Sequence, residues 1–439
     1  MIFLHPMFPI AILFILFFLN VPIALSLIGA SLYYFAFINT GIPMSMVVQQ
    51  FTTAVESFPY LAVPFFIMLG SVMNYSGISD KLMDMAEVLA GHLKGGLAQV
   101  NCLLSALMGG ITGSANADAA MESKILIPAM LRKGLPLGFA SAVTAASSSV
   151  SPVIPPGNNL IIYAMIANVT VGDMFLAGYT PGLLMTAALM ITVYIVSVRR
   201  GYAPTREKMA SAVEIGRQTL KSSFALIIPF VIILGMRMGV TTPTEAGGVA
   251  VLFAVVVGLV AYRKLSWKHL PAILRETVQS TGSVMLIIAA AKVFGYYMTS
   301  ERIPQMITSG LLYIAQDKFV LLMIINVLLL IIGMFIEGGA ALVILGPLLV
   351  PAVMSRGVDP LHFGVILIVN IMIGGLTPPF GSMMFTVCSI VHCKFQDFLR
   401  EVWPFIIALL AVLILVTYSE TAALAIPKLF GYVPIHSPL

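Results

Sequence analysis

The sequence predicts an all-α polytopic membrane protein made of inverted repeats, with two re-entrant helical hairpins and two discontinuous helices. Three observations carry that expectation. Of 439 residues, 59% are hydrophobic and only 9% charged, whereas a soluble domain carries about a quarter charged residues. Apolar runs near the roughly 20 residues needed to cross a bilayer recur along the chain, which suits helices and not the alternating strands of a barrel. Finally, the two halves share residues at a constant spacing of 223. Leu126-Ile127-Pro128 matches Leu349-Val350-Pro351, Gly134 matches Gly357, and Pro155-Pro156 matches Pro378-Pro379. Phe175 matches Phe398, and Pro181 matches Pro404. Proline is scarce enough that four such pairs at one spacing are not chance. An odd number of spans separates the halves, which inverts one relative to the other.

The elements follow in order. Residues 1–59 are read as N-terminal scaffold with apolar runs at 7–19 and 22–38, long for one helix and short for two. The first run begins near Met7 with no Lys or Arg before it, so it is read as a retained span and not a signal peptide. Residues 60–198 form the first repeat: a span at 60–76, a hairpin at about 97–131 broken at GSANAD, a broken helix at about 139–167 and a span at 174–198. Between them 79–92 is amphipathic, with Leu82, Met83, Ala86 and Leu89 on one side, and is expected to lie on the surface as a brace.

Residues 199–280 are central scaffold, with spans at 222–240 and 246–262 and basic loops at 199–221 and 263–275. The Lys/Arg excess places both loops in the cytoplasm. By span counting, Arg132 and Lys133 are cytoplasmic, whereas Arg302, Lys318 and Arg356 lie outside, so the two hairpins enter from opposite faces. TTPTEAGG at 241–248 reads as a capping box, with Thr242 as cap, Pro243 at the first helical position and Glu245 three residues after the cap. Residues 281–420 form the second repeat: a span at 281–299, a hairpin at about 319–353 broken at EGGA, a broken helix at about 362–390 and a span at 402–420. Residues 421–439 are a C-terminal tail.

Composition also excludes. The net charge of +5 resides in short loops and not on a continuous stripe, so nucleic acid is not an expected partner, whereas membrane lipid is. Cys102, Cys388 and Cys393 have no metal or redox spacing, and the six histidines lie mostly near segment ends.

Chemistry concentrates where polar residues interrupt apolar sequence. SSSVSPVIPPGNN at 147–159 and GGLTPPFGS at 374–382 each contain a proline pair, which removes backbone donors and leaves upstream carbonyls without partners. Such backbone is tolerable only against protein or a wet cavity, where the carbonyls can serve as cation ligands. Ser, Thr and Asn oxygens nearby suit a hard monovalent ion better than a soft transition metal. GGITGSANADAAMESKILIPAM at 109–130 places Thr112, Ser114 and Asn116 at a hairpin tip, followed by Asp118, Glu122 and Lys124.

Each of these residues has a plainer alternative. Asp118 reads first as a helix cap, and Ser114 and Asn116 read equally as ion ligands or tip packing, the repeat favouring ligands. Glu337, the counterpart of Ser114, adjoins Gly338 and Gly339, where backbone can approach an ion, although a paired structural glutamate is the alternative. Thr377 and Ser382 flank the second break, or merely satisfy helix carbonyls. Arg302 suits bidentate binding of a carboxylate, against the alternatives of a snorkelling arginine or a partner for Glu301 or lipid.

At GGITGSANADAA with ILIPAM, SPVIPPGNNLIIYA, VTTPTEAGGVAV, ILGPLLVPAV and VNIMIGGLTPPFGSMMF, in this order, the chain resembles the large membrane subunit of the TRAP (tripartite ATP-independent periplasmic) transporters over essentially its whole length. That resemblance implies an elevator-type, sodium-coupled secondary transporter of the bacterial cytoplasmic membrane and no enzyme. The solute would be acidic, with sialic acid favoured and dicarboxylates or sugar acids close behind, received from a periplasmic solute-binding protein. It also implies a separate small membrane subunit.

Carried over by position, one sodium would sit at Ser114 and Asn116 with backbone of Ser151, Val153 and Pro155. A second would sit at the Glu337-Gly338-Gly339 tip with backbone around Gly375 and Thr377. Solute would lie between the tips, with Arg302 as the carboxylate partner and Asp118, Asn158, Asn159 and Ser382 as further contacts. The chain departs from the family pattern at Gly157-Asn158-Asn159, where many members have Ser after the proline pair. It departs again at Glu337-Gly338-Gly339-Ala340, where many have Asp and a Thr-rich stretch. Rival readings are a self-sufficient carboxylate carrier of similar architecture, an intramembrane enzyme pairing Asp118 with Glu337, and a passive channel.

Overall fold

A computed structural model describes residues 5–19, 21–56, 58–315 and 317–435, and every regular element among them is helical. Helices satisfy their own backbone, which is what a lipid-exposed chain requires.

The N-terminal run resolves into two helices, α1 (Phe8–Phe18) and α2 (Ile23–Tyr33), the latter extended by a π turn to Ile38. Pro22 stands at the start of α2, where a proline is tolerated but cannot continue a preceding helix. Next comes α3 (Met44–Val55), which hydropathy did not predict because it is short and amphipathic. The expected 60–76 span is α4 (Ala62–Tyr75), followed by α5 (Ile78–Ala90) at a bend of 71°. Gly77 makes that corner at φ 79°, a conformation that glycine adopts without a Cβ penalty. The buried stripe of α5 is Ile78, Leu82, Met85, Ala86 and Ala90, rotated from the predicted one, with Met83 and Leu89 only half-buried.

The first hairpin is α6 (Leu97–Thr112) with α7 (Ala115–Arg132), and the first broken helix is α8 (Leu137–Ser148) with α9 (Asn158–Ala167). There follow α10 (Val171–Arg200), α11 (Ala212–Arg237), α12 (Pro243–Val256, with a π turn to Ala261) and α13 (Leu270–Ser300). The Thr242–Glu245 capping box at the head of α12 forms as the sequence predicts. In contrast, α11 and α13 begin inside the segments expected as loops 199–221 and 263–275. Hydropathy detects only apolar turns, whereas the Ser211 cap and Pro271 in the first turn start each helix in polar sequence.

After α14 (Ile303–Ile314), also not predicted, come the second hairpin, α15 (Lys318–Gly333) with α16 (Gly338–Met354), and the second broken helix, α17 (Pro360–Leu376) with α18 (Ser382–Val391). The chain ends with α19 (Phe395–Tyr418) and two short turns, α20 (Glu420–Ala423) and α21 (Ala425–Leu429), in the stretch read as tail. Beyond them the Tyr432 hydroxyl and the Ile435 amide donate to the buried Asp359 carboxylate at 2.9 and 2.7 Å.

The 223-residue spacing recurs in the backbone. Helix starts Ala115 and Gly338, and Leu137 and Pro360, are equivalent, Gly134 and Gly357 both have positive φ, and both proline pairs contain a cis bond. All of α17 and nearly all of α8 are buried, so the leading halves of the broken helices form the centre. On them pack α15 and α19, with α16 against α9 and α18 against α7. A flanking group holds α12 on α4, α11 on α5, and α13 along α2, α3 and α4. Two contacts lock the centre: the Tyr163 hydroxyl of α9 donates to the Pro360 carbonyl at 2.6 Å, and Asn370 of α17 donates to Asn326 of α15, which in turn donates to Thr417 of α19.

Among the described residues, five helices are long and apolar enough to cross a membrane, those within Val171–Arg200, Ala212–Arg237, Pro243–Ala261, Trp267–Ser300 and Phe395–Tyr418, or six if the bent α4–α5 pair is one span. Their outer faces expose residues such as Ile191, Ile195, Phe230, Val231, Leu252 and Val256. This apolar belt is stable only in lipid.

Candidate functional site

One cavity of about 550 Å³ collects the interruptions of both halves. Gly113 to Ala117 of the first tip and Glu337 to Ala340 of the second line it. Asn158 and Asn159 reach it from the first break, and Gly375, Ser382 and Met383 from the second. Ile67, Gly70, Ser71 and Asn74 of α4 and Glu276, Ser280, Ser283, Val284 and Ile287 of α13 close the other wall. Its size is that of a small-molecule site.

Four helices begin at this wall: α7 at Ala115, α9 at Asn158, α16 at Gly338 and α18 at Ser382. The first N–H groups of a helix have no intrahelical acceptor and carry its partial positive charge, so four converging N-termini make the cavity attractive to an anion. The sequence dictates this directly. Each hairpin turns at glycine or polar residues just before its second arm, and each proline pair forces a fresh helix start.

Close backbone packing holds the tips. Gly113, at φ 54°, lies against Gly157 and Asn158, where a Cβ would stand 3.2 Å from the Asn158 amide nitrogen. Thr386 of α18 donates to the Asn116 side-chain oxygen at 3.4 Å and so connects the first tip to the second broken helix. Gly338 fits between Met372 of α17 and Asn159 of α9. Gly333, the last residue of α15, meets Gly374 of α17 backbone to backbone.

Of the residues singled out from sequence, Ser114, Asn116, Asn158, Asn159, Glu337, Gly338, Gly339, Gly375 and Ser382 line the cavity. The Thr112 side chain lies outside the described residues. Ser114, and not Asp118, caps α7, accepting from the Ala117 amide, because it occupies the extended position one residue before the helix. Asp118 is buried one turn further in. Ser151, Val153 and Pro155 are buried behind the wall, and the Val153 carbonyl abuts Gly178 of α10 so tightly that a Cβ there would overlap it. The Thr377 hydroxyl turns back to the Ile373 carbonyl at 2.7 Å, the helix-satisfying alternative.

Arg302 stands apart from these residues. It is exposed at the left-handed start of α14, at φ 53°, and does not line the cavity. Sequence reasoning also missed the scaffold wall. Glu276, Ser280 and Ser283 recur at helical spacing on one face of α13, a signal present in the sequence, whereas Ser71 and Asn74 are ordinary polar residues until the fold aims them. The Tyr75 hydroxyl holds Glu276 at 2.7 Å. Among the described residues no group of His, Cys, Asp and Glu could hold a transition metal.

Paired hairpin tips and paired helix breaks around one cavity, in a helical chain with a lipid-facing belt, define a multi-pass membrane transporter. The profile of the tripartite ATP-independent periplasmic transporter DctM component matches residues 10–422, and the chain belongs to that family. It is 39% identical over 425 residues to the sialic acid TRAP transporter large permease protein SiaM of Vibrio cholerae, covering 95% of this chain and 97% of that one. It is 34% identical over 388 residues to the C4-dicarboxylate TRAP transporter large permease protein DctM of Pseudomonas aeruginosa, covering 88% and 90%. These relatives are named as permease subunits of transporters, so the chain's role is transport and not catalysis. Among solved structures, the Alcanivorax borkumensis YdaH transporter aligns with a TM-score of 0.55 over 88% of this chain and 87% of that one at 16% identity, a likeness of fold alone.

Proposed function

We propose that the chain is the large subunit of a sodium-coupled importer, in the bacterial inner membrane, for a small carboxylate-bearing solute. The observation that carries this reading is the single cavity on which both hairpin tips and four helix N-termini converge. The N-termini provide the field for an anionic solute. Ser114, Asn116 and Ser382, the Glu337 carboxylate and backbone at Gly338, Gly339 and Gly375 provide hard oxygens for sodium beside it.

Cation and anion offset each other's charge, so the loaded site can cross the low-dielectric layer while the unloaded partners cannot do so cheaply. In this reading the hairpins are re-entrant, and the central group of helices moves as an elevator against the flanking group. A small membrane subunit completes the scaffold, and a periplasmic binding protein delivers the solute. Relatives named for sialic acid and for C4-dicarboxylates support an acidic cargo. Sialic acid is the first to test, because that relative is the more similar of the two.

The test is uptake into proteoliposomes containing the chain and its small subunit, with binding protein and labelled solute outside. Uptake of one acid, dependent on an inward sodium gradient and weakened in its sodium affinity by Ser114→Ala or Asn116→Ala, is expected. Equal uptake without sodium would end the coupling proposal.

A further inference from the structure

The cavity has two kinds of wall. Its tips and breaks belong to the central helices, whereas α4 and α13 belong to the flanking group. Glu276 is the carboxylate on the flanking side, in the second turn of α13 and on the same face as Ser280 and Ser283. It is exposed, and the Tyr75 hydroxyl at the end of α4 donates to one of its oxygens at 2.7 Å. The Tyr75 ring in turn lies 5.3 Å from the His269 ring, so the carboxylate is held in place. Among the described residues Glu276 forms no ion pair. Its neighbours Arg275 and Gln279 do not line the cavity. A site whose helix starts attract an anion thus faces a fixed carboxylate that no cation offsets.

The place of Glu276 along the flanking helices gives this opposition a direction. α13 rises from the basic loop that the Lys/Arg excess assigns to the cytoplasm. The Lys264 side chain of that loop lies over Gly77, two residues beyond the end of α4. The α4 residues Ile67 to Asn74 and Glu276 of α13 therefore meet the cavity at the cytoplasmic end of the flanking group.

The outer end carries no equivalent. The flanking helices repeat at the same 223-residue spacing as the central ones: π turns extend both α2, at Tyr34–Ile38, and α12, at Val257–Ala261. α13 packs along α2 as α4 packs along α12. The counterparts of Glu276, Ser283 and Ile287 are Thr53, Tyr60 and Pro64, none of them charged. Nearby Glu56 corresponds to Gln279, which is off the cavity lining in its own half. Glu337, the other cavity carboxylate, is part of a tip and accompanies the site wherever it moves.

We propose that Glu276 is a release residue, which by like-charge repulsion weakens the hold of the cytoplasm-facing cavity on a carboxylate-bearing solute. This rests on the importer reading above. With Thr53 in the corresponding outer position, the same tips bind the solute more tightly at the outer end and loosen it at the cytoplasmic one.

Two measurements test it. The first reads the charge of the cavity without sodium or solute. In the full chain in lipid nanodiscs, Ser283→Cys places a thiol on the Glu276 face, with Cys388→Ser removing the partly exposed native one; Cys102 and Cys393 are buried. Its reaction rates with sulfonatoethyl and trimethylammonioethyl methanethiosulfonate are compared. Glu276→Gln is expected to raise the anion-to-cation rate ratio about tenfold, about threefold from each reagent at a separation of roughly 10 Å along the helix. Glu276→Asp keeps the charge and should leave the ratio near its starting value.

The second uses proteoliposomes of the chain and its small subunit, with labelled sialic acid as probe, or labelled succinate if sialic acid is not carried. In Glu276→Gln the half-saturating concentration on the cytoplasmic side is expected to fall about threefold, with the outer side, supplied by binding protein, unchanged. An unchanged rate ratio, a ratio raised as much by Glu276→Asp, or a half-saturating concentration that does not fall on the cytoplasmic side alone overturns the proposal. A wild-type chain that carries neither acid in a sodium gradient overturns the importer reading and the release role with it. Wild-type transport with an unchanged ratio overturns the release role only.

Discussion

The Gly333–Gly374 contact sets the height of the second tip, and three glycine-to-alanine variants measure how closely. A Cβ at position 374 would stand 2.7 Å from the Gly333 Cα and 2.8 Å from its carbonyl carbon. Carbon atoms rest at about 3.5–4.0 Å, so α15 and α17 must separate by about 1 Å. The obstacle is backbone and cannot rotate away. Overpacking of this kind costs about 1–3 kcal/mol, against about 0.5–1 kcal/mol recovered when alanine replaces glycine inside a helix. The net loss is about 0–2.5 kcal/mol, centred near 1 kcal/mol, with the tip lifted from the cavity wall.

At position 333 the nearest atom is 3.1 Å away, so the same change is milder. At Gly339, a few residues along the same tip, a Cβ meets only Asn159 Oδ1 at 3.8 Å and Ile162 Cδ1 at 3.9 Å, ordinary contacts. Thermal unfolding of purified variants should therefore rank Gly339→Ala at or above wild type, then Gly333→Ala, then Gly374→Ala. Solute uptake should fall from Gly333→Ala to Gly374→Ala. A Gly374→Ala protein that melts like wild type, or a Gly339→Ala protein less stable than both others, would refute the reasoning.

Other perturbations follow from the same structure. Tyr163→Phe removes the hydrogen bond to the Pro360 carbonyl but keeps the ring over Gly364, so a loss of about 1 kcal/mol is expected in chemical denaturation. Asn370→Ala deprives the buried Asn326 oxygen of its donor at 2.8 Å and should cost about 1–3 kcal/mol in the same assay, more than Tyr163→Phe. Arg200→Ala breaks a bridge to Glu401 that is partly solvent-exposed, so a stability change under about 1 kcal/mol is expected, and a larger one would indicate a buried role for the pair.

How much of this was legible beforehand depends on the residue type. Prolines and glycines act locally, so both helix breaks, both hairpin turns and the equivalence of the two halves could be read from Pro155, Pro378, Gly134 and Gly357. Amphipathic helices such as α3 and α14 escaped because hydropathy averages over polar and apolar faces alike. The tips themselves were visible as polar residues in apolar sequence. The opposing wall was not, since Ser71 and Asn74 become cavity residues only through the packing of α4 beside α13. Arg302 is a related case. Charge chemistry made it the natural anion partner, but the left-handed turn into α14 leaves it exposed and off the cavity lining. Glu122 stands out in apolar sequence, yet its hydrogen-bond partners come from α6 and α8 and are set only by the fold.

The four converging helix starts have a consequence for what the protein can discriminate. Main-chain dipoles respond to the sign of a charge and are nearly blind to the rest of the molecule that bears it. Attraction for an anion thus resides in the main chain of the tips and breaks, and under the proposed function the choice among acids would fall to side chains of the opposing wall, such as Ser71, Asn74, Ser280 and Ser283. Exchanging those few positions would retune the cargo without rebuilding the machine.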